Sequence, residues 1–292
     1  MTAATEPAHP ITGQRPPTDL SSRRPAPKVS VVVPAKNEAL NLPHVLTAIP
    51  GDVHEVILVD GDSSDDTVAV ARRVLPGIIV IGQTRKGKGN ALACGFAAAT
   101  GEFIVMLDAD GSTDPAEIPR FVAALLDGAD FAKGSRFMPG AGSSDISRLR
   151  QSGNFWLNRI VNLLYRTRYT DLCYGFNAFR RDCLSVMDLD PGRPGDVPSD
   201  PMPWGDGFEV ETLINVRIAK AGIRVAEVPS FERSRLNGTS NLHAFSDGLR
   251  VLRTIHAERR RAGRPAPPAL QLGAEHATTS WSELSTLVEE AG

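Results

Sequence analysis

Phe103 to Leu107 is an unbroken apolar run of strand length that ends in Asp108-Ala109-Asp110-Gly111-Ser112. A strand that is apolar on both faces has to lie inside a parallel sheet covered by helices on both sides. Similar runs precede it at Val29–Val33, Val56–Val59 and Ile78–Ile81. Helically spaced apolar residues follow each of these: Leu42, Val45, Leu46 and Ile49, within an expected helix from Glu38 to Ala48; then Val68, Val70, Ala71 and Val74; then an Ala-rich segment up to Ala99. Strands that alternate with helices at this spacing give βαβ units with right-handed crossovers. The expected class is α/β, a Rossmann-like nucleotide-binding half with a mostly parallel central sheet flanked by helices.

This topology collects the loops near residues 34–38, 60–66, 84–90 and 108–112 along one sheet edge, where open α/β sheets bind ligands and a nucleotide is the natural occupant. Asp108 and Asp110 stand in the last of these loops. Two carboxylates one residue apart can share a hard cation such as Mg²⁺ or Mn²⁺, which also takes substrate phosphates. The same residues also read as a solvated turn. Neither G-x-G-x-x-G nor G-x-x-x-x-G-K-[ST] occurs at these loops, so dehydrogenase and P-loop readings lose support. Gly87-Lys88-Gly89 is either a phosphate contact or a flexible basic loop.

Further along, Asp114-Pro115 reads as a helix cap followed by Pro at the first helical position. A strand at Ala129–Gly134 leads to Arg136, whose forked donors suit phosphate but equally serve an ordinary surface. Asn154–Arg168 reads as an amphipathic helix that either packs on the sheet or lies in a lipid interface. Leu189 to Gly205 holds five prolines and is expected to be a mobile loop or lid. Asp206, Glu209 and Glu211, at the start of a helix running to Ala221, are candidate acids or bases, with a helix-dipole role as the alternative. A strand at Ile223–Val228 precedes a last helix from Leu242 with the basic end Arg259-Arg260-Arg261.

At 292 residues the chain suits one large or two small domains. The six prolines before Lys28 mark residues 1–27 as a disordered tail, residues 28–258 as the folded domain and 259–292 as a basic, then low-order tail. A net charge of -2 offers no argument for nucleic acid. Cys94, Cys173 and Cys183 are odd in number and fit a reducing cytosol better than a disulfide framework. No apolar run approaches the roughly 18 residues of a spanning helix. The chain is expected to be cytoplasmic, either free or peripheral at the cytoplasmic membrane face, with its oligomeric state open.

Taken in order, V-V-V-P-A-K-N-E, V-D-G-D-S-S-D-D-T, G-K-G-N-A, L-D-A-D-G-S and G-S-R-F resemble the inverting GT-A glycosyltransferases of family 2, in particular dolichyl-phosphate mannose synthases and polyprenyl-phosphate glucosyltransferases. The resemblance covers residues 28 to 256 and implies a GT-A fold with added acceptor-side helices. It implies that Pro34, Ala35 and Glu38 border the nucleotide, that Asp60 contacts its base or ribose, and that Asp62, Gly87, Lys88 and Asp108 complete the donor site. Asp108 and Asp110 match the D-x-D pair that holds Mg²⁺ or Mn²⁺ against the donor diphosphate. Arg136 matches an arginine that faces the phosphates or the acceptor, and Arg235 one that meets phosphate. The implied donor is a UDP- or GDP-sugar and the implied acceptor a polyprenyl phosphate, with a soluble small molecule or natural product as the alternative.

A hydroxyl acceptor also needs a general base, for which Asp206 and then Glu209 are the nominees. Two departures from the lipid-phosphate enzymes concern the acceptor: Ser240-Asn241 stands where they have Ser-Lys, and Gly111-Ser112 where they often have Leu-Gln. Two rival classes are a sugar-1-phosphate nucleotidyltransferase and a non-catalytic nucleotide-sugar binder. The former would usually carry a Gly-rich basic loop where this chain has P-A-K-N-E.

Overall fold

The computed structural model describes residues 26–193, 202–238 and 244–261, with the side chains of 244–247 excepted. The expected N-terminal tail up to residue 25, residues 194–201 of the expected lid, Ser240-Asn241 and the expected tail from residue 262 lie outside the described residues.

The first half of the chain alternates as expected: β1 (Val29–Ala35), α1 (Leu42–Thr47), β2 (Glu55–Asp60), α2 (Thr67–Val74), β3 (Ile79–Gly82), α3 (Lys88–Ala98) and β4 (Phe103–Met106). There follow α4 (Ile118–Leu126), β5 (Phe131–Ser135), β6 (Gly142–Ser143), α5 (Arg148–Tyr165), β7 (Asn177–Arg180), α6 (Leu184–Met187), α7 (Val210–Lys220), β8 (Val225–Pro229), β9 (Phe231–Glu232) and α8 (Ala244–Arg260). One sheet runs β3-β2-β1-β4-β7-β5-β8, and a small second sheet pairs β6 with β9. Every pairing in the large sheet is parallel except those of β7, which lies antiparallel between β4 and β5.

Successive residues of each strand go to opposite faces, and both faces are covered. Val31, Val33, Leu58 and Val105 pack with Leu42, Val45, Val70 and Phe121 of α1, α2 and α4. Val32, Ile57, Ile104 and Met106 pack with Leu92, Phe96, Val210 and Ile214 of α3 and α7. This two-sided burial is why the strands read as continuous apolar runs rather than alternating ones. A third cluster, with Val161, Val216, Val251 and Ile255, joins α5, α7 and α8 beside the sheet.

The boundaries differ from expectation where side chains capture the backbone. The first helix begins at Leu42, not Glu38, because the Glu38 N–H is donated to Thr67 Oγ1 (2.9 Å) and Glu38 O accepts from Asn41 N in a turn (2.9 Å). Helix α5 begins six residues before Asn154, where the Ser147 hydroxyl accepts from Arg150 N (3.3 Å), and it ends at Arg166 in the left-handed region (φ 55°). Asp114 caps its short helical turn as expected, accepting from Ala116 N at 3.0 Å. The cysteines are free. The basic end of α8 is partly internal: Glu258 takes Arg217 at 3.0 Å and Arg261 at 3.6 Å. Among the described residues, no helix is long and apolar enough to cross a membrane.

Candidate active site

The C-terminal ends of β1 to β4 open onto a cavity of about 950 Å³. Pro34, Ala35, Glu38, Gly87, Lys88, Asp108, Asp110, Arg136, Glu209 and Arg235 all line it, although they come from every part of the chain. Asp108 and Asp110 form its floor, just past the buried Leu107. Lys88 spans two carboxylates, with its Nζ 2.7 Å from Asp108 Oδ1 and 2.7 Å from Glu211 Oε1. Burial alone would lower the Lys88 ammonium, but the charges of Asp108 and Glu211 outweigh it and keep the group protonated.

Asp110 is fixed by its own loop and by a segment more than a hundred residues downstream. Ser112 N donates to its Oδ1 (2.9 Å), and Leu236 N donates to its backbone carbonyl (3.2 Å). Arg233 N also donates to Ser112 O (2.7 Å), so backbone pairing carries Arg235 to the floor, where Nη1 meets Asp110 Oδ2 at 3.0 Å. Nη2 of Arg235 pairs with Glu38, whose carboxyl is raised above the usual range by burial. Gly111 is at φ +77°, a backbone conformation that L side chains rarely adopt, so glycine suits this turn.

Among the described residues no group of three or more His, Cys, Asp and Glu side chains could hold a metal ion. The two carboxylates are hard oxygen donors on a cavity floor, where phosphate oxygens and water could complete the shell. That is how Mg²⁺ is usually bound at phosphate sites, so the residues fit such an ion.

Arg136 is held rather than free. Its Nε and Nη2 bond the carboxylate of Asp171 (2.7 and 2.9 Å), its Nη1 bonds Glu232 Oε2 (2.9 Å), and the guanidinium lies 4.9 Å from the Tyr174 ring centroid. Asp171 is fully buried, and nothing in the sequence marked it.

Three predicted site residues are not brought to the cavity wall. Asp206, the first nominee for a base, is buried away from the cavity wall with its two carboxylate oxygens paired with Arg85 at 2.7 and 3.0 Å, so it is not placed to reach a substrate proton. Asp62 is an exposed turn residue in the left-handed region (φ 62°). Asp60 stands one layer back, with Oδ2 accepting from Ser63 N (3.3 Å) and Oδ1 buried without a hydrogen-bond partner, while its neighbours Gly61 and Ala35 line the cavity. Glu209 does line it. Its Oε1 accepts from Gly205 N (3.0 Å) and Gly207 N (3.4 Å), and its Oε2 is buried without a hydrogen-bond partner, 3.9 Å from Arg250 Nη1.

Gly87 and the first turn of α3, Lys88 and Gly89, carry the end of the 189–205 segment. Gly89 N donates to Asp206 O (2.7 Å), and a Cβ on Gly89 would stand 1.8 Å from Gly205 O. Backbone cannot yield as a side chain does. Gly89→Ala is therefore expected to cost about 1–3 kcal/mol in urea unfolding, the scale of overpacking, and to weaken donor binding by displacing Lys88. Full stability in that variant would show that Gly205–Asp206 is free to move off the start of α3.

A model of the family described as glycosyl transferase family 2 matches residues 30–187. The chain belongs to this family. An uncharacterised glycosyltransferase of Mycobacterium tuberculosis (strain ATCC 25618 / H37Rv) is 44% identical over 214 residues, covering 73% of this chain and 89% of that one. The dolichol-phosphate mannosyltransferase of Pyrococcus furiosus is 29% identical over 225 residues, covering 74% and 59%. In fold, this glycosyltransferase is similar to the crystal structure of glucosyl-3-phosphoglycerate synthase from M. tuberculosis in complex with Mn²⁺, uridine diphosphate and phosphoglyceric acid. That match has a TM-score of 0.61 at 22% identity and covers 81% of this chain and 80% of that one. The GT-A architecture is thus established, and a nucleotidyltransferase reading falls with the family membership.

Proposed function

We propose that this family 2 glycosyltransferase moves a hexose, with inversion, from a UDP- or GDP-sugar to an acceptor, with Mg²⁺ or Mn²⁺ held by Asp108 and Asp110. The observation that carries this reading is the cavity floor, where two adjacent carboxylates are met by the cations Lys88 and Arg235. The bound metal would supply Lewis-acid neutralisation of the departing diphosphate. Lys88 and Arg235 hold further positive charge where the phosphates would lie, and Arg136, fixed by Asp171, adds a preorganised cation to the wall.

Thermal unfolding against UDP- and GDP-sugars, with and without Mn²⁺, tests the donor site, because a ligand at a hundred times its Kd adds about 2.7 kcal/mol to the folded state. A metal-dependent rise with one nucleotide is expected, and no rise with any donor overturns the reading. Release of free sugar from that donor separates an enzyme from a non-catalytic binder.

Two observations bear on the acceptor. The wall by α5 and α8 combines Arg150 and Arg250 with Leu149, Leu157 and Val251, which suits a phosphate on a hydrocarbon chain such as a polyprenyl phosphate. Glu209 Oε2, buried without a hydrogen-bond partner and 3.9 Å from Arg250 Nη1, instead favours a hydroxyl acceptor on a soluble molecule, whose proton it would take. Glu209→Gln distinguishes them: turnover of a hydroxyl acceptor is expected to fall by about 10²–10⁴, the scale of general-base catalysis, whereas an already ionised phosphate acceptor is expected to react nearly as before.

A further inference from the structure

We infer that the outer faces of α5 and α8 form a docking surface for an anionic lipid bilayer, which seats the cavity mouth on the membrane. Helix α5 turns Asn154, Asn158 and Val161 inward. On its other side Leu149, Trp156 and Leu163 follow one another at seven-residue spacing and are 57%, 62% and 81% exposed, with Phe155 beside them. Residues so spaced share one face of a helix. The helix carries Arg148, Arg150 and Arg159 and no acidic residue.

Helix α8 lies against it, with Tyr165 Oη donating to Ile255 O (2.9 Å) and Val161, Val251 and Ile255 in one core cluster. Its outward side shows Leu249 and Leu252 next to the exposed Arg253, while its Glu258 is buried on Arg217. Exposed Leu, Phe and Trp bordered by arginine is the make-up of a helix that lies in a lipid interface. A second copy is the competing occupant, since seven-residue spacing is also a coiled-coil seam. Pairing α5 with itself, however, sets Arg148 and Arg159 against their own copies with no acid on the helix, Arg150 being the one answered, by Asp145 at 3.0 Å. An anionic bilayer meets both the apolar stripe and its charge.

The surface is continuous with the cavity, because the exposed Leu149 also lines it, next to the more buried Leu157 and Val251 of the same two helices. The inference rests on the proposed function only for what the cavity would receive there, an acceptor presented from the bilayer.

The full chain is expected to co-sediment with vesicles of phosphatidylcholine containing one quarter phosphatidylglycerol, and to be released by salt as surface electrostatics are screened. Binding to phosphatidylcholine alone should be much weaker. Trp156→Gln with Leu163→Gln, neither of which lines the cavity, should weaken vesicle binding about a hundredfold through lost apolar burial, and Arg159→Glu should weaken it about tenfold through charge. Both variants should keep the parent melting temperature and its donor-induced rise. Failure of the parent chain to sediment with either vesicle overturns the inference, as does a dimer in sedimentation equilibrium that the Trp156 and Leu163 changes abolish. A chain that responds to donor yet stays off vesicles retains the donor reading and loses this one. Vesicle binding without a donor response upholds this surface and removes that reading.

Discussion

Asp110→Ala is expected to lower glycosyl transfer by a factor on the order of 10³, with the melting temperature within a few degrees of the parent. The side chain contributes little to the fold. It leaves the sheet at the end of β4, accepts from Ser112 N in its own loop and pairs with Arg235, both partners of that pair being about one-quarter exposed. A pair in that setting is worth about 1 kcal/mol or less. Arg235 keeps Glu38 as a second partner, so no charge is stranded.

What is lost is one of two carboxylates on which donor diphosphate and cation would converge, and stabilising the charge that develops on a leaving group commonly contributes more to the rate than any other effect in such a reaction. The Mn²⁺-dependent part of the donor-induced melting shift should disappear with it. Asp114→Ala is the matched control. That carboxylate lies four residues on, caps a helical turn and pairs with the exposed Arg233, so its removal should cost about 1 kcal/mol and leave turnover unchanged. Equal losses of activity in the two variants would refute the assignment of Asp110.

The contrast between Asp110 and Asp114 marks how far the sequence could be read. The apolar runs of β1, β2 and β4, each covered on both faces, identified the parallel half directly, and the loops at their ends do converge on the cavity. Asp114-Pro115 announced a cap by local chemistry alone. What stayed hidden depends on contacts far apart in the chain. Strand β7 is four residues long, has Asn177 inside the sheet and runs against its neighbours, so neither length nor periodicity sets it apart. Asp206 was the first nominee for a base, yet Arg85, 121 residues earlier, pairs with both of its carboxylate oxygens away from the cavity wall. The amphipathic pattern around residues 154–168 was visible, but only the packed structure separates the inward Asn154 and Asn158 from the outward Trp156 and Leu163. Asp171 had no local signature, since its role is defined by an arginine 35 residues away.

That buried carboxylate carries the largest expected effect on stability. Asp171→Ala is expected to destabilise the chain by about 3–5 kcal/mol at neutral pH, the range for removing one partner of a buried ion pair. The carboxylate accepts from Arg136 N (3.1 Å), Nε (2.7 Å) and Nη2 (2.9 Å), and it is fully buried. Its loss leaves Glu232 as the carboxylate on Arg136 and withdraws the negative charge that most favours the protonated form of Lys133, which is itself fully buried.

The pH dependence tests the cause. Burial alone would raise the Asp171 carboxyl, but the hydrogen bonds and charge of Arg136 outweigh it and hold the group below the usual range. A depressed folded value means that the stabilisation is complete above the unfolded carboxyl value of about 4 and is lost as pH falls through the lower folded value. The gap between parent and Asp171→Ala in urea midpoint should therefore be constant from neutral pH down to about pH 5 and narrow below about pH 4. A gap unchanged at about pH 3 would mean that shape, not charge, is what Asp171 provides. A variant as stable as the parent at neutral pH would mean that Glu232 and the Tyr174 ring suffice to hold Arg136 at the cavity wall.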